Sequence, residues 1–460
     1  MSAPPQEHFF RYPFPSELIP DGRKQLLRLA TFRKGRQTSP FFFEGRLANP
    51  QRTAELLRAI MTIVQSRFHI PASMLERILA ESDPIVTCND ERLRFEGFSA
   101  CCGVYVRADL LSGSFEGNVA GRGTTNVNFN PPMLAALARV RQTDDVSLAV
   151  GADQVVLKQR SGDVVEKKVS LPVRWMRGLV EAQAVQSRME RVHRIAGIQA
   201  FRFFRSLPRM KTHRRATFVT KSGQGLRLSQ VETRNGVRVG GLERLRVLEA
   251  LAKNADQLDV FADHKTGASG WVLSLSDSRF HVVLSPEVWR GFSGEGQALA
   301  SLARKNKEVL PKVRAMLKWQ SMINASQIAF GIGETDEAVD AALTQLGTRG
   351  LVGFDLAESA YFHRELPFDV SQVEKLQPRL IAARKLIEQD LVRLHKAMKS
   401  KIDVRVAGSG VEHRVTIGTG KSGTEKCTCP WFNKHETSRG PCKHILAARI
   451  LLEETEAGGR

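Results

Sequence analysis

Residues 425–444 read EKCTCPWFNKHETSRGPCKH and hold three of the chain's six cysteines. Cys427 and Cys429 form a Cys-x-Cys pair; after a twelve-residue gap, 430 to 441, Cys442 and His444 form a Cys-x-His pair. In an extended segment residues i and i+2 project to the same face, so each pair can aim two ligand atoms at one point. The second pair falls where a helical pattern of Ile445, Leu446, Ala448, Leu451 and Leu452 begins. Three thiolates and one imidazole complete a tetrahedral shell for Zn2+, leaving no position for water or substrate. Such a shell predicts a structural zinc. His435 is the nearby side chain that could compete as a ligand.

Working outward, the preceding segment 402–427 alternates Val404, Val406, Val415 and Ile417 around a Gly-Ser-Gly, which is a hairpin signal. Strands, then Cys-x-Cys, then Cys-x-His opening a helix resemble the SWIM-type zinc finger, and Pro430, Trp431 and the KHILAA run at 443–448 add to the likeness. The resemblance covers about 401–455. It implies zinc as cofactor and a module that binds DNA or protein. The phrases DPIVTCNDERLRFEGFSACCGVYVR (83–107) and GRGTTNVNFN (121–130) extend the likeness to bacterial SWIM-finger proteins of similar length. Some of those look like companions of MoxR-type AAA+ ATPases and von Willebrand A-domain proteins, which implies a role in an assembly. The nearby GTGKSG (418–423) is no phosphate-binding loop: Walker A needs Gly five residues before Gly420, and position 415 is Val. No other catalytic signature is present in the sequence, and an enzyme is not expected.

Composition sets the frame. A chain of 460 residues exceeds one hydrophobic core and predicts about three domains. Apolar residues at 42% and charged residues at 25% are ordinary for a folded protein. The first residues, MSAPPQEHFFRYPFP, lack the charged and apolar regions of a signal peptide, and no apolar run reaches the roughly eighteen residues of a membrane span. A cytoplasmic protein is expected. Cys88, Cys101 and Cys102 show no ligand spacing and read as buried free thiols. The net charge of +20 favours polyanions, nucleic acid first and acidic protein surfaces second.

The fold expected is α+β and multidomain. Residues 1–99 read as an N-terminal helical cap, with Leu56, Leu57, Ile60, Ile63 and Val64 on one amphipathic helix and a second starting at Pro71. VSLPVRWMRGLVEAQAV (169–185) and VVLSPEVWRGFSGEGQAL (282–299) align, placing Pro172, Trp175, Glu181 and Gln183 against Pro286, Trp289, Glu295 and Gln297. This predicts a duplicated α+β unit at 100–186 and 215–300, with both tryptophans buried in equivalent places. Its predicted topology loosely resembles the half-domain of DNA sliding clamps. Residues 301–400 read as helical and winged-helix-like, Thr335 capping a helix that Gly347 ends. A hairpin follows at 350–368, then a long helix striped by Val373, Leu376, Leu380, Ala383, Ile387, Leu391, Leu394 and Met398, with Pro378 starting or kinking it. Residues 401–460 are the zinc-bound β-hairpin-plus-helix module.

The basic inter-repeat segment 187–214 is the expected nucleic-acid contact, with DNA favoured. Residues 188–215 hold nine Lys/Arg against Glu190 alone. Arg191, Arg194, Arg202, Arg205 and Arg209 would share one side of a helix continuing past Gly197, with Lys211, Arg214 and Arg215 beyond. Phe201, Phe203 and Phe204 are either base-stacking rings or core. Residues 401–460 carry ten Lys/Arg against seven Asp/Glu, so polyanion binding is expected to depend more on 188–215 than on the finger. By contrast 331–370 holds eight Asp/Glu against Arg349 and Arg364, which suits a protein partner. A protein-interaction adaptor is therefore the alternative function.

Overall fold

The computed structural model describes residues 9–10, 17–21, 24–29, 31–32 and 41–458, apart from 67, 69–83, 90–91, 119–121, 128, 130, 152–168, 171–172, 210–215, 290, 293–295, 300–307, 367–376, 409, 419–423 and 437. Its centre is one antiparallel sheet. The strands are β1 (Ile85–Cys88), β2 (Leu93–Phe98), β3 (Val104–Leu110), β4 (Gly123–Val127), β5 (Glu190–Ala196), β6 (Gln257–Asp263), β7 (Ala268–Leu275) and β8 (Ser278–Leu284). They lie in the order β5-β6-β7-β8-β3-β2-β1-β4, with Thr31–Phe32 as the ninth strand beyond β4. Pairing of β8 with β3, Ser278 opposite Leu110, carries the sheet across both central segments.

Every residue of β2 and β3 is buried, so these strands are covered on both faces and show no polar alternation. That is why 1–99 is not the helical cap expected: its last strands, β1 and β2, are interior members of the main sheet. The helix α1 (Pro50–Val64) does form, with Pro50 at its first turn, and buries Leu56, Leu57, Ile60, Ile63 and Val64. The helix expected from Pro71 lies outside the described residues.

The two tryptophans do not occupy equivalent places. Trp175 is fully buried in α2 (Val173–Gln186), edge-on to Phe98. Trp289 sits in a turn and is 55% exposed. The second tract carries Gly291, Gly294 and Gly296, and Gly296 takes φ +76, so a helix like α2 is not favoured there. Instead the tracts touch: the Glu181 carboxylate accepts the backbone N–H of Gln297 at 2.5 Å and of Ala298 at 3.2 Å.

A second core is built by α4 (Val309–Ala315), α5 (Ala325–Ile332), α6 (Asp336–Thr348) and the hairpin of β9 (Val352–Asp355) with β10 (Ala360–His363). Thr335 caps α6 by accepting from Ala338 N–H at 3.2 Å; the helix runs past Gly347, and Gly350 makes the left-handed turn. A buried ionic layer fastens this hairpin to the main sheet. Arg107 meets Asp109 at 2.8 Å and Asp355 at 3.0 Å, and donates to the Phe354 carbonyl at 2.8 Å. Arg364 pairs with Glu96, which also accepts from the Tyr105 hydroxyl at 2.5 Å. Phe362 receives Arg94 over its ring at 4.1 Å.

Of the long helix expected across 373–398, residues 373–376 lie outside the described residues, and the rest is two elements. Pro378 starts α7 (Pro378–Glu388), and the chain then reverses at Asp390, φ +53, into β11 (Val392–Met398). β11 is the edge of a four-stranded antiparallel sheet with β12 (Lys401–Ala407), β13 (Glu412–Gly418) and β14 (Glu425–Cys427). The C-terminal module therefore begins at 392. Its apolar centre, Val404, Val406, Val415, Ile445 and Leu446, is continuous with the main core.

Candidate metal centre

Two short segments bring the four ligands together. Cys427 ends β14, and Cys429 is the N-cap of α8 (Pro430–His435), its Sγ accepting the Phe432 N–H at 3.4 Å. Cys442 precedes α9 (Lys443–Gly458) and its Sγ accepts the Ile445 N–H at 3.5 Å. His444 lies in the first turn of α9. Helix N-termini supply unpaired N–H groups and a positive dipole end, which favour thiolate over thiol.

One ligand atom from each of Cys427, Cys429, Cys442 and His444 lies within 4.8 Å of the others, and all four residues are buried. Cys427 Sγ stands 3.7 Å from His444 Nδ1. A tetrahedral ion with Zn–S near 2.3 Å and Zn–N near 2.1 Å needs about 3.6 Å there. The donor set, its spacing and its burial fit zinc, which these four residues hold. A hydrogen bond shared with the Cys427 thiol holds the Cys442 thiol well below its ordinary value, favouring the thiolate. His413 packs its ring 4.4 Å from that of His444, while His435 turns to Trp431 at 5.0 Å and is no ligand.

The metal loop is docked on the body. Arg379 of α7 donates to the carbonyls of Arg439 at 2.7 Å and Pro441 at 3.0 Å, and lies 4.7 Å over the Trp431 ring. The Gln297 side-chain amide donates to Ser438 O at 3.0 Å. These docking residues carry no motif; the Gly-Pro before Cys442 is their one sequence signal.

A second group of ligand-type side chains, Asp109, His281 and Asp355, is buried in the ionic layer. Burial opposes charge on Asp355, yet Arg107, His281 and Arg94 hold its carboxyl down to about 2. With guanidinium groups already on these carboxylates, a cation would be repelled.

The expected polyanion contacts are dispersed. Arg191 and Arg194 lie on β5, and only Arg202 and Arg205 on α3 (Gly197–Ser206). The strand turns into the helix at Gly197, where a Cβ would stand 1.7 Å from the Ala255 carbonyl oxygen. Arg194 is spent on Asp259, at 2.7 and 3.1 Å, and Arg188 on Asp263 at 2.8 Å. Arg202, Arg205 and Arg209 are exposed; Lys211, Arg214 and Arg215 lie outside the described residues. Phe203 and Phe204 are core, Phe203 stacked 6.1 Å from Trp271, and Phe201 is half-buried against it.

Among the described residues no helix is long and apolar enough to cross a membrane. No curated relative matches the chain. Among solved structures it is similar to the PCNA2–PCNA3 complex of Sulfolobus tokodaii, at 9% identity over 54% of this chain and 100% of that one, TM-score 0.34. It is also similar to proliferating cellular nuclear antigen of Entamoeba histolytica, at 8% identity over 54% and 99%, TM-score 0.33. Scores this low bear on neither fold nor partner. The SWIM zinc finger family matches residues 413–450, which span all four ligands. With that match and this Cys3His geometry, the chain carries a SWIM zinc finger that binds zinc through Cys427, Cys429, Cys442 and His444.

Proposed function

We propose that this is a nucleic-acid-binding protein, with DNA as its target, and that zinc serves its architecture rather than chemistry. The observation that supports this best is the closed, buried Cys3His centre in a chain of net charge +20. With four protein ligands the metal has no position for a substrate or an activated water. What zinc does here is hold β14, α8 and α9 together. A cationic surface supplies affinity for phosphate through counterion release.

A second reading, a protein-interaction adaptor, is favoured by one feature. Phe330 on α5 is 92% exposed beside Glu334, Asp336 and Glu337, which suits a basic protein partner better than phosphate. Purification of the chain from its host, with and without nuclease, separates the two. Nucleic acid recovered with the chain and lost on nuclease treatment supports the first. A partner retained after nuclease treatment, lost in Phe330→Ala, and accompanied by no nucleic acid supports the second.

A further inference from the structure

The register of the finger sheet sorts its side chains onto two faces. Val404, Val406, Val415 and Cys427 point inward, toward α9 and the metal. The outer face holds the alternate residues. Arg393 of β11 stands opposite Arg405 of β12, which stands opposite Arg414 of β13. One row along, Lys396 faces Asp403, Asp403 faces Thr416, and Thr416 faces Lys426; one row further, Lys401 faces Met398. A bulge at His395 keeps Lys396 on this face.

The face thus carries six cations, Arg393, Lys396, Lys401, Arg405, Arg414 and Lys426, against Asp403 and Glu412. Asp403 is itself buried and occupied by Arg414 at 2.6 Å and Thr416 at 2.8 Å. Arg405 reaches Glu412 at 3.4 Å on the surface. Arg393, Lys396, Lys401 and Lys426 make no salt bridge among the described residues. Like charges directly opposite one another work against strand pairing; Asp403 and Glu412 offset this for Arg414 and Arg405, and no such partner is present for Arg393 among the described residues. From Arg393 to Ala397 every residue of β11 is exposed, so the edge projects from the body.

We infer that this outer face is the surface that grips the phosphate backbone of duplex DNA. The inference rests on the nucleic-acid reading above and moves the contact from residues 188–215 to the finger sheet. Arg393 and Lys396 on the edge strand, with Lys401 on β12 and Lys426 on β14, offer donors suited to phosphate oxygens, beside Arg405 and Arg414, which Glu412 and Asp403 engage. Charge complementarity selects the occupant, since the opposite face of β12, β13 and β14 is packed toward the metal and α9. Binding should then depend on zinc, contrary to the expectation that it rests on 188–215 more than on the finger, because zinc supports the sheet that makes the contact.

The test compares two triple variants of the full-length, zinc-loaded chain by anisotropy of a labelled DNA duplex across a salt series. Arg393→Ala/Lys396→Ala/Lys401→Ala changes the sheet face, and Arg202→Ala/Arg205→Ala/Arg209→Ala changes α3 and its exit. Zinc content of both must equal that of wild type. The sheet triple should flatten the log–log salt slope by about 2.7 if all three residues contact phosphate, and the helix triple should leave it unchanged. A slope flattened by the helix triple alone, or by neither, overturns the assignment of this face while the DNA reading stands. Wild-type protein that fails to bind duplex at low salt overturns the DNA reading itself, and binding to anionic lipid vesicles in its place does the same.

Discussion

Gly440 shows how tightly the metal loop is fitted. Its φ is +71, and a Cβ there would meet the Gly296 carbonyl oxygen at 2.0 Å. Gly440→Ala should therefore cost about 2–4 kcal/mol, combining left-handed strain with a backbone clash. Gly410 is the control: at φ +81 it has nothing within 4 Å, so alanine should cost only about 1–2 kcal/mol. Urea unfolding of both variants reads the difference. Asp355 gives a residue-scale pH dependence. Its folded value of about 2 lies below the unfolded carboxyl near ~3.9, so its stabilisation is full above the unfolded value and lost as pH falls toward 2. Melting temperatures should drop across that window in wild type and less in Asp355→Asn. The four zinc ligands were legible from spacing alone, because a metal shell is specified by a few residue types at short intervals. Their docking partners Arg379 and Gln297 were not, since each meets the metal loop across more than fifty positions of sequence, through backbone carbonyls that carry no side-chain signature.

The contrast between α1 and the strands β1 and β2 shows how a polar face makes an element legible. α1 showed its stripe because its other face meets solvent, whereas β1 and β2 are buried throughout and gave no alternation. β11 was absorbed into a helix because Leu391, Leu394 and Met398 continue the 3/4 spacing of α7; the break at Asp390 is a backbone event that hydrophobic spacing does not encode. The two tryptophan tracts share residue types but differ in glycine content, and glycine decided helix against turn. The C-terminal module has no separate core, so Cys442→Ser should do more than lose its zinc. Packing of α7 on α9 should loosen with it, and hydrogen exchange should show faster exchange in both helices while β7 and β8 stay protected. Zinc retained at one per chain by Cys442→Ser, on metal analysis, would contradict the ligand assignment. Arg107→Met should loosen the β9–β10 hairpin, leaving Asp109 and Asp355 their longer contacts to Arg94 and Arg92, at a cost of about 3 kcal/mol by urea unfolding.

At the scale of the molecule, one nine-stranded sheet carries a helical body with an acidic surface and a zinc-held sheet with a cationic one. Net charge pointed to a polyanion from the sequence, but its location depended on which arginines the fold spends internally. Arg188 and Arg194 are spent; Arg393 and Lys396 are not. Zinc and charge are thereby linked in the proposal: the metal fixes the inner face of the sheet whose outer face is assigned to phosphate. The direct measurement is duplex affinity of the full chain before chelation, after verified zinc removal, and after zinc is restored. Affinity that collapses without zinc, with a flattened salt slope, and returns with the metal is the result predicted here. Unchanged affinity and slope in zinc-free protein would contradict it.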